Sequence, residues 1–309
     1  MSHYLSVDIG GTNIKYALFD HSGNILNKGK VVTPKENLTQ FLNLLFKIIE
    51  KNKPESLTGI GISVPGKVDT QTQTIYFGGA LPFLDGVKLG QIIKAKYNLE
   101  VNVENDGKAA ALAEMWLGEM KGVSAGAVLV LGTAIGSGLI VGGDLQRGSH
   151  YQAGELSFMK LNERKPYAES YAGFRASAVQ MISSINKLVK YPNLTDGIHA
   201  FEIINSGNKQ AKEIFDEYCY NIAMVIQNIQ AVIDLEKIAI GGGISPQPLV
   251  IKNIRYQYMK ILEEVPFIGK MITPVKIVKA KFDNEANLYG ALYALLTRLD
   301  RDLPLKLIN

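Results

Sequence analysis

The fold is decided by the stretch Val103-Glu104-Asn105-Asp106-Gly107-Lys108-Ala109-Ala110-Ala111-Leu112-Ala113-Glu114. It predicts a short strand over residues 101–103, a polar turn, and a helix that runs toward Leu117, because alanine has a high helix propensity. Asp106 is therefore expected at the point where the strand gives way to the helix.

That position is well placed for chemistry. In an open α/β sheet, small ligands bind outside the carboxyl ends of the strands. A carboxylate there can accept a proton from a substrate hydroxyl. The alternative is that Asn105 or Asp106 only caps the helix, as such residues often do. This stretch alone leaves both interpretations open.

Length and composition limit the class of protein. A chain of 309 residues exceeds the usual limit of a single core, so two domains are expected. The 33 basic and 29 acidic residues are scattered, and the net charge of +4 does not suggest nucleic-acid binding. The single cysteine, Cys219, excludes an intrachain disulfide framework and favours a reduced, cytoplasmic protein. The first residues carry no secretory signal pattern.

One segment imitates a membrane span. Residues 123–143 contain no charged side chain over a length that could cross a bilayer. Their centre is rich in glycine, however, with apolar and β-branched residues on either side. Two buried strands joined by a glycine turn fit this pattern better, so no membrane association is expected.

A glycine turn follows the first strand. Residues 4–8 form a short apolar strand that runs into Ile9-Gly10-Gly11-Thr12, and residues 14–19 alternate as a returning strand, with a third over residues 25–32. Bare backbone N–H groups in the turn can approach an anion closely. Asp8, just before the turn, could hold Mg²⁺ directly or through water. The alternative is an ordinary hairpin turn.

The second half of the chain repeats this design. A strand over residues 127–131 leads into Gly132-Thr133-Ala134-Ile135-Gly136, and residues 137–141 return. Two such turns, one domain apart, are more informative than either alone. They could face each other across a cleft and hold the two ends of a polyphosphate.

Three further loops could bind a ligand. Ser63-Val64-Pro65-Gly66 ends a strand at the sheet edge where Asp8 is expected. Gly78-Gly79-Ala80-Leu81-Pro82-Phe83 could offer backbone groups to a polar ligand, or be a plain loop. Gly241-Gly242-Gly243 could admit a flat adenine or a ribose, or serve close packing. Glu155 could accept hydrogen bonds from ligand hydroxyls, or be a solvated surface side chain.

Helical spacing is present over residues 171–190, 210–233, 249–262 and 286–299.

These motifs together resemble the ROK family of sugar kinases and repressors, within the actin-like ATPase superfamily. The resemblance covers most of the chain and is carried by five motifs in order: Asp8-Ile9-Gly10-Gly11-Thr12, Ser63-Val64-Pro65-Gly66, Glu104-Asn105-Asp106, Leu131-Gly132-Thr133-Ala134-Ile135-Gly136-Ser137-Gly138 and Gly154-Glu155. It implies an α/β, two-lobed, ribonuclease H-like fold with duplicated mixed-sheet domains and a cleft between them. Residues 1–117, completed by the C-terminal helix over residues 286–301, would form one domain, and residues 118–285 the larger second domain.

The resemblance also implies an activity. It is the ATP- and Mg²⁺-dependent transfer of the γ-phosphate to the 6-hydroxyl of a hexose or β-glucoside. Dimers are common in similar proteins, so a homodimer is expected. Asp106 matches the family's catalytic base, and Asp8 the residue near Mg²⁺. The residues assigned to the sugar are Asn105, Glu155, Glu169, Gly66 and Gly79. Those assigned to the nucleotide are Asp8, Gly10, Gly11, Thr12, Lys15, Gly132, Thr133, Ala134, Gly136, Gly242 and Gly243.

The sequence departs from the family pattern around the sugar. Phe158 stands where members usually carry a histidine, three residues after Glu155, and no cysteine cluster follows, so no structural zinc is expected. Glu169 is matched to the glutamate that ends the family's zinc loop. Gly107-Lys108 replaces the usual Ala-Asn.

These departures bear on the substrate. The missing histidine contacts the anomeric side of the sugar in the family, so Phe158 could leave an apolar wall that admits a glycosidic substituent, as in cellobiose. The alternatives are a kinase for N-acetylmannosamine or another hexose, and a sugar-sensing regulator without catalysis. Repressors of the family carry a helix-turn-helix segment ahead of the first glycine turn, and Asp8 is so near the first residue that we expect none here.

Overall fold

The computed structural model describes residues 2–162 and 167–302, and this part of the chain divides into two compact units. Unit 1 holds the described residues within Met1–Leu117, Arg147–Ala153 and Glu285–Asn309. Unit 2 holds those within Gly118–Gln146 and Gly154–Asn284. The segment Arg147–Ala153 thus packs with unit 1, although its neighbours along the chain on both sides belong to unit 2.

Unit 1 is built on a five-stranded mixed sheet in the order β3-β2-β1-β4-β7. The strands β1, β2 and β3 form an antiparallel meander, as the sequence predicts, and β4 and β7 run parallel to β1. The bounds are β1 His3–Ile9, β2 Asn13–Asp20, β3 Ile25–Val32, β4 Leu57–Val64 and β7 Glu100–Asn105, with a separate hairpin of β5 Lys67–Asp69 and β6 Thr74–Tyr76.

The register of the parallel strands aligns their carboxyl ends. Asp8 of β1 lies opposite Ser63 of β4, and Ser63 lies opposite Glu104 of β7. The turns that follow β1, β4 and β7 therefore leave the sheet at one common edge. This is the edge of a parallel sheet at which ligands are expected to bind.

Four helices complete unit 1. They are α1 Leu38–Lys51, α2 Leu89–Tyr97, α3 Asp106–Leu117 and α10 Ala286–Asp302. Every residue of α3 from Gly107 to Glu114 is buried, which explains why this stretch is rich in alanine, and the charged side chains of Lys108 and Glu114 are buried with it. α10 packs against both α3 and β4, and the Ser6 hydroxyl donates to the carbonyl of Leu288 at 2.6 Å. The last helix of the chain therefore supports the first sheet.

Unit 2 repeats the sheet arrangement in the order β10-β9-β8-β11-β12. β8, β9 and β10 form an antiparallel meander, and β11 and β12 run parallel to β8. The bounds are β8 Gly126–Leu131, β9 Ile135–Val141, β10 Asp144–Gln146, β11 Lys237–Gly241 and β12 Lys276–Lys279. The prediction of duplicated mixed sheets is confirmed.

The charge-free segment of residues 123–143 forms β8 and β9, so the two-strand interpretation is confirmed. Within the described ranges, the structure contains no helix with the length and apolar character needed to cross a membrane.

The helices of unit 2 differ in part from the predicted ones. They are α4 Ala172–Arg175, α5 Ala178–Leu188, α6 Gly197–Asn205, α7 Lys209–Ile233, α8 Pro248–Glu264 and α9 Pro266–Met271. The single helix predicted over residues 171–190 is wrong, because Ser177 caps a new helix: its hydroxyl accepts from the Gln180 N–H at 3.2 Å. The helices α6 and α9 were not predicted from the sequence.

Candidate functional site

Asn105 is the last residue of β7 and the cap of α3. Its Oδ1 accepts a hydrogen bond from the Lys108 N–H at 3.0 Å, which satisfies one of the unpaired donors at the helix start. Its Nδ2 donates to the carbonyl of Gly66 at 2.9 Å and to Oδ1 of Asp106 at 3.0 Å. The capping interpretation therefore applies to Asn105, which also links the turn after β4 to the start of α3.

Asp106 begins α3 with a carboxylate that is held in place. Its Oδ1 accepts from Nδ2 of Asn105 and from the Gly107 N–H at 2.8 Å. The side chain is half-buried, and it lies at the helix N-terminus, where the peptide dipoles favour negative charge. The arrangement supplies an oriented carboxylate at the ligand-binding edge of the unit 1 sheet.

Asp8 is a second carboxylate on the same edge. Its Oδ1 accepts from the Ser63 hydroxyl at 3.1 Å and from Nδ2 of Asn287 at 2.9 Å, and its Oδ2 lies 3.9 Å from Nζ of Lys15. Burial raises the pKa of Asp8, while the Asn287 hydrogen bond, the Lys15 charge and the Ser63 hydrogen bond oppose that shift. Asp8 and Lys15 were predicted site residues, whereas Asn287, which comes from α10, was not.

The surroundings of Asp8 fit a magnesium ion. Mg²⁺ prefers oxygen ligands and is often bound by one or two carboxylates together with waters and substrate phosphates. Within residues 2–162 and 167–302, no group of three or more His, Cys, Asp or Glu side chains could hold a metal ion by itself. A single carboxylate such as that of Asp8 can suffice for a magnesium ion whose other ligands are waters and phosphate oxygens.

In the turn after β1, neighbouring atoms lie so close to Gly10 and Gly11 that little space is left for a side chain. A Cβ on Gly11 would lie 2.7 Å from Cβ of Ala80, and one on Gly10 would lie 3.0 Å from the Asn13 carbonyl oxygen. The Thr33 hydroxyl donates to the carbonyl of Gly10 at 2.7 Å, and the Thr33 N–H to that of Thr12 at 3.0 Å. The turn is thus fixed by the residue that follows β3.

Gly66 and Gly79 lie together in unit 1. Gly66 has φ +98°, and a Cβ there would meet the Phe77 carbonyl oxygen at 2.1 Å. Gly79 has φ +60°, and its Cβ would lie 3.4 Å from Cβ of Pro65. Since Asn105 donates to Gly66, these two loops lie next to the β7–α3 junction.

Unit 2 brings its own candidate residues together around β8. The Gly132 carbonyl accepts from the Ala178 N–H at 2.9 Å, and Gly242, with φ +95°, packs so closely that a Cβ would meet the Leu131 carbonyl oxygen at 2.2 Å. Gly242 therefore serves close packing, whereas a Cβ on Gly243 would meet nothing within 4 Å. The second and third glycine turns are neighbours.

Glu155 belongs to the same group in unit 2. The Ser137 hydroxyl of β9 donates to the carbonyl of Gly154, and the Ser157 hydroxyl exchanges hydrogen bonds with the backbone of Ile135 at 3.0 and 2.9 Å. These contacts hold half-buried Glu155 beside the β8–β9 hairpin. Phe158, at the end of the following 3₁₀ turn, is 69% exposed.

Glu169 is the remaining residue of unit 2 that the resemblance assigns to the sugar. It is exposed, in the 3₁₀ turn Tyr167–Ser170, and lines a cavity of about 240 Å³ together with Arg175 and Glu217. Residues 163–166, which precede it where the family's zinc loop would run, fall outside the described ranges. The assignment of Glu169 to the sugar stays a prediction.

The chain is similar in sequence and in fold to known proteins. The sequence model described as "ROK family" matches residues 4–298. The chain is 28% identical to a beta-glucoside kinase of Listeria monocytogenes, over 95% of this chain and 97% of that protein. It is 27% identical to an N-acetyl-D-glucosamine kinase of Vibrio atlanticus, over 94% and 98% of the two chains. The crystal structure of a ROK family protein from Streptococcus pneumoniae in complex with sucrose matches with TM-score 0.85 and 28% identity, over 97% of this chain and 99% of that one.

Proposed function

This chain belongs to the ROK family and is a sugar kinase, and on that premise we propose that it transfers the γ-phosphate of ATP to the 6-hydroxyl of a hexose or a β-glucoside. The observation that carries the proposal is the common edge of β1, β4 and β7. Asp8 and the Asn105-Asp106 pair flank the turn after β4 on that edge. β1 and β7 lie on opposite sides of β4, so their backbones are about 10 Å apart. The edge therefore offers separate places for a metal ligand and for a base.

In the proposed reaction, Asp106 accepts the proton of the sugar 6-hydroxyl as the hydroxyl oxygen attacks the γ-phosphorus. The bond from the γ-phosphorus to the oxygen that bridges the β- and γ-phosphates breaks, and ADP leaves with that oxygen. The hydrogen bonds from Asn105 and Gly107 orient the carboxylate before the substrate arrives. Phosphoryl transfer relies on positioning and charge neutralisation more than on covalent chemistry, so an oriented base is what this step requires.

The nucleotide is assigned to the glycine turns. The Gly10 and Gly132 N–H groups are bonded within their own turns, to the carbonyls of Asn13 and Ala134, and the Ile135 N–H is bonded to Ser157. Other backbone N–H groups of residues 10–12 in unit 1 and residues 132–136 in unit 2 would donate to phosphate oxygens, and Gly243 would lie against the adenosine. Asp8 would hold Mg²⁺ directly or through water, and the bound ion would neutralise charge on the phosphates. Lys15 adds a positive charge beside Asp8.

The sugar is assigned to Asn105, Gly66, Gly79, Glu155 and Glu169, with Phe158 as the residue that selects among sugars. A beta-glucoside kinase among the relatives and a sucrose-bound neighbour support an acceptor with a glycosidic substituent. The exposed ring of Phe158 would face that substituent in place of a polar histidine.

We expect Phe158→His to change the choice of acceptor. In the unchanged protein, cellobiose should be used at least as well as glucose, judged by kcat/KM. The histidine should lower the ratio of cellobiose to glucose by about 10-fold, the size of effect that one apolar contact gives. Phe267→His, at a ring that is 71% exposed on α9, serves as the control and should leave the ratio unchanged. An unaltered ratio in Phe158→His, or a preference for N-acetylmannosamine in the unchanged protein, would refute this role.

The activity itself is tested by a panel of sugars with ATP and Mg²⁺, followed by ADP release. The panel should contain glucose, cellobiose, N-acetylglucosamine and N-acetylmannosamine. We expect sugar-dependent ADP release and a product with phosphorus bonded through the oxygen of carbon 6, detected by phosphorus–proton correlation. ADP release that no sugar stimulates would refute the proposed function. A cytoplasmic homodimer stays a prediction of the sequence.

A further inference from the structure

Glu104 is a buried carboxylate next to the candidate base. It is 1% exposed, and it precedes Asn105 on β7. Its Oε2 accepts from Nε of Arg147 at 3.0 Å and from a terminal guanidinium nitrogen of Arg147 at 2.6 Å. A carboxylate withdrawn from water needs a partner of opposite charge with good hydrogen-bond geometry, and Arg147 supplies both.

Arg147 reaches Glu104 from an unusual segment. It is the first residue of Arg147–Ala153, which packs with unit 1 although Gln146 and Gly154 belong to unit 2. The Ala153 N–H donates to the Arg147 carbonyl at 3.1 Å and closes the segment into a loop. A hydrogen bond between the Tyr151 side chain and Asp69 raises the pKa of Tyr151 and provides a second attachment to unit 1.

The other oxygen of Glu104 acts on the β7–α3 junction. Oε1 accepts from the backbone N–H of Asn105 at 3.1 Å, while Oε2 is held by Arg147. Asn105 in turn caps α3 and donates to Oδ1 of Asp106. Contacts therefore run without a gap from the Arg147 guanidinium to the carboxylate of Asp106, through Glu104 and Asn105.

We propose that the Glu104–Arg147 ion pair is a positioning device: it fixes the backbone of Asn105 and thereby the orientation of the Asp106 carboxylate. Arg147 does not touch the substrate in this account. The contribution of the ion pair to turnover rests on the proposed function, whereas its effect on the structure of the β7–α3 junction does not. A pair that only supported the fold would lower stability and leave the turnover of folded protein unchanged.

The kinetic test compares Arg147→Met with a matched control. Lys94→Met removes a different ion pair, in which Lys94 of α2 contacts Glu100 at 2.5 Å. Glu100 lies at the opposite end of β7 from Glu104, and both side chains of this pair are more exposed than those of Glu104 and Arg147. Below the unfolding temperature of each variant, we expect Arg147→Met to lower kcat by about 10-fold or more, with KM for ATP and sugar within about 3-fold of the unchanged protein. Lys94→Met should keep its kcat. Arg147→Lys retains the charge but not the two-donor geometry, so it should recover part of the loss.

Amide hydrogen exchange on the full chain gives a readout that needs no activity. Exchange at the Asn105 and Lys108 N–H groups should become about 10-fold faster or more in Arg147→Met, because the first is held by Glu104 and the second by Asn105. Lys94→Met should match the unchanged protein, and Arg147→Lys covers the case in which the methionine variant does not fold. Unchanged exchange together with unchanged kcat in the Arg147 variants would overturn the proposal. If the protein without substitutions phosphorylates no sugar, the proposed function is refuted instead. Amide hydrogen exchange at Asn105 and Lys108 alone would then decide whether the Glu104–Arg147 pair positions the β7–α3 junction.

Discussion

Asp106→Asn is expected to lower kcat by about 10²-fold or more while the protein stays folded and still binds sugar. The amide has nearly the shape of the carboxylate, and its oxygen can accept the hydrogen bonds that Asn105 and the Gly107 N–H now donate. It cannot take the proton of the attacking hydroxyl, however. The effect should therefore appear in kcat, with little change in KM for the sugar.

The control for this variant is Asp144→Asn, an equally small change at an exposed position on β10. Steady-state kinetics with ATP, Mg²⁺ and the best acceptor should show unchanged turnover there. Titration of Asp106→Asn with sugar, followed by calorimetry, should give a dissociation constant close to that of the unchanged protein. If Asp106→Asn retains full turnover, Asp106 is not the base.

Gly290→Ala is expected to lower the free energy of unfolding by about 3 kcal/mol, the upper part of the usual range for overpacking. An ideal Cβ on Gly290 would lie 1.7 Å from the carbonyl oxygen of Ala109, which is backbone of α3 and cannot rotate away. In a solvent-exposed helix the same change would be favourable by about 1 kcal/mol, because glycine is a poor helix former. Whether Gly290→Ala lowers or raises the free energy of unfolding therefore depends entirely on the contact between α10 and α3.

Chemical denaturation of the full chain measures this effect. Gly243→Ala is the matched control, because its Cβ would meet nothing within 4 Å, and it should unfold at the same denaturant concentration as the unchanged protein. Since Asp106 begins α3, a displaced α3 in Gly290→Ala should also lower kcat. A variant as stable as the unchanged protein would show that the two helices do not approach as closely as described.

Local patterns were enough to predict the strands and the edge they share. The alternating residues around Ile9-Gly10-Gly11-Thr12 predicted the first meander, and the glycine-centred segment of residues 123–143 predicted β8 and β9. Both depend on neighbours in sequence, which is why pattern reading succeeds there. The polar turn ahead of α3 was identified in the same way.

The contacts that set the site could not be predicted, because they join residues far apart in the chain. Asn287 reaches Asp8 across 279 positions, and Arg147 reaches Glu104 across 43. The periodic spacing of apolar residues, which predicts helices and strands, carries no information about such distant partners. The break between α4 and α5 at Ser177 was missed for a different reason. The apolar spacing typical of a helix continues on both sides of this capping serine, so a single helix was predicted across it.

We propose that the carboxylate of Asp106 takes the proton from the sugar hydroxyl that receives the phosphate. A crystal structure with the best acceptor and a non-hydrolysable ATP analogue tests it most directly. We expect the 6-oxygen of the sugar to lie within hydrogen-bond distance of the Asp106 carboxylate, about 2.6–3.2 Å, on the side facing the γ-phosphate. A sugar whose 6-oxygen lies far from Asp106, with that carboxylate turned toward bulk water, would contradict it.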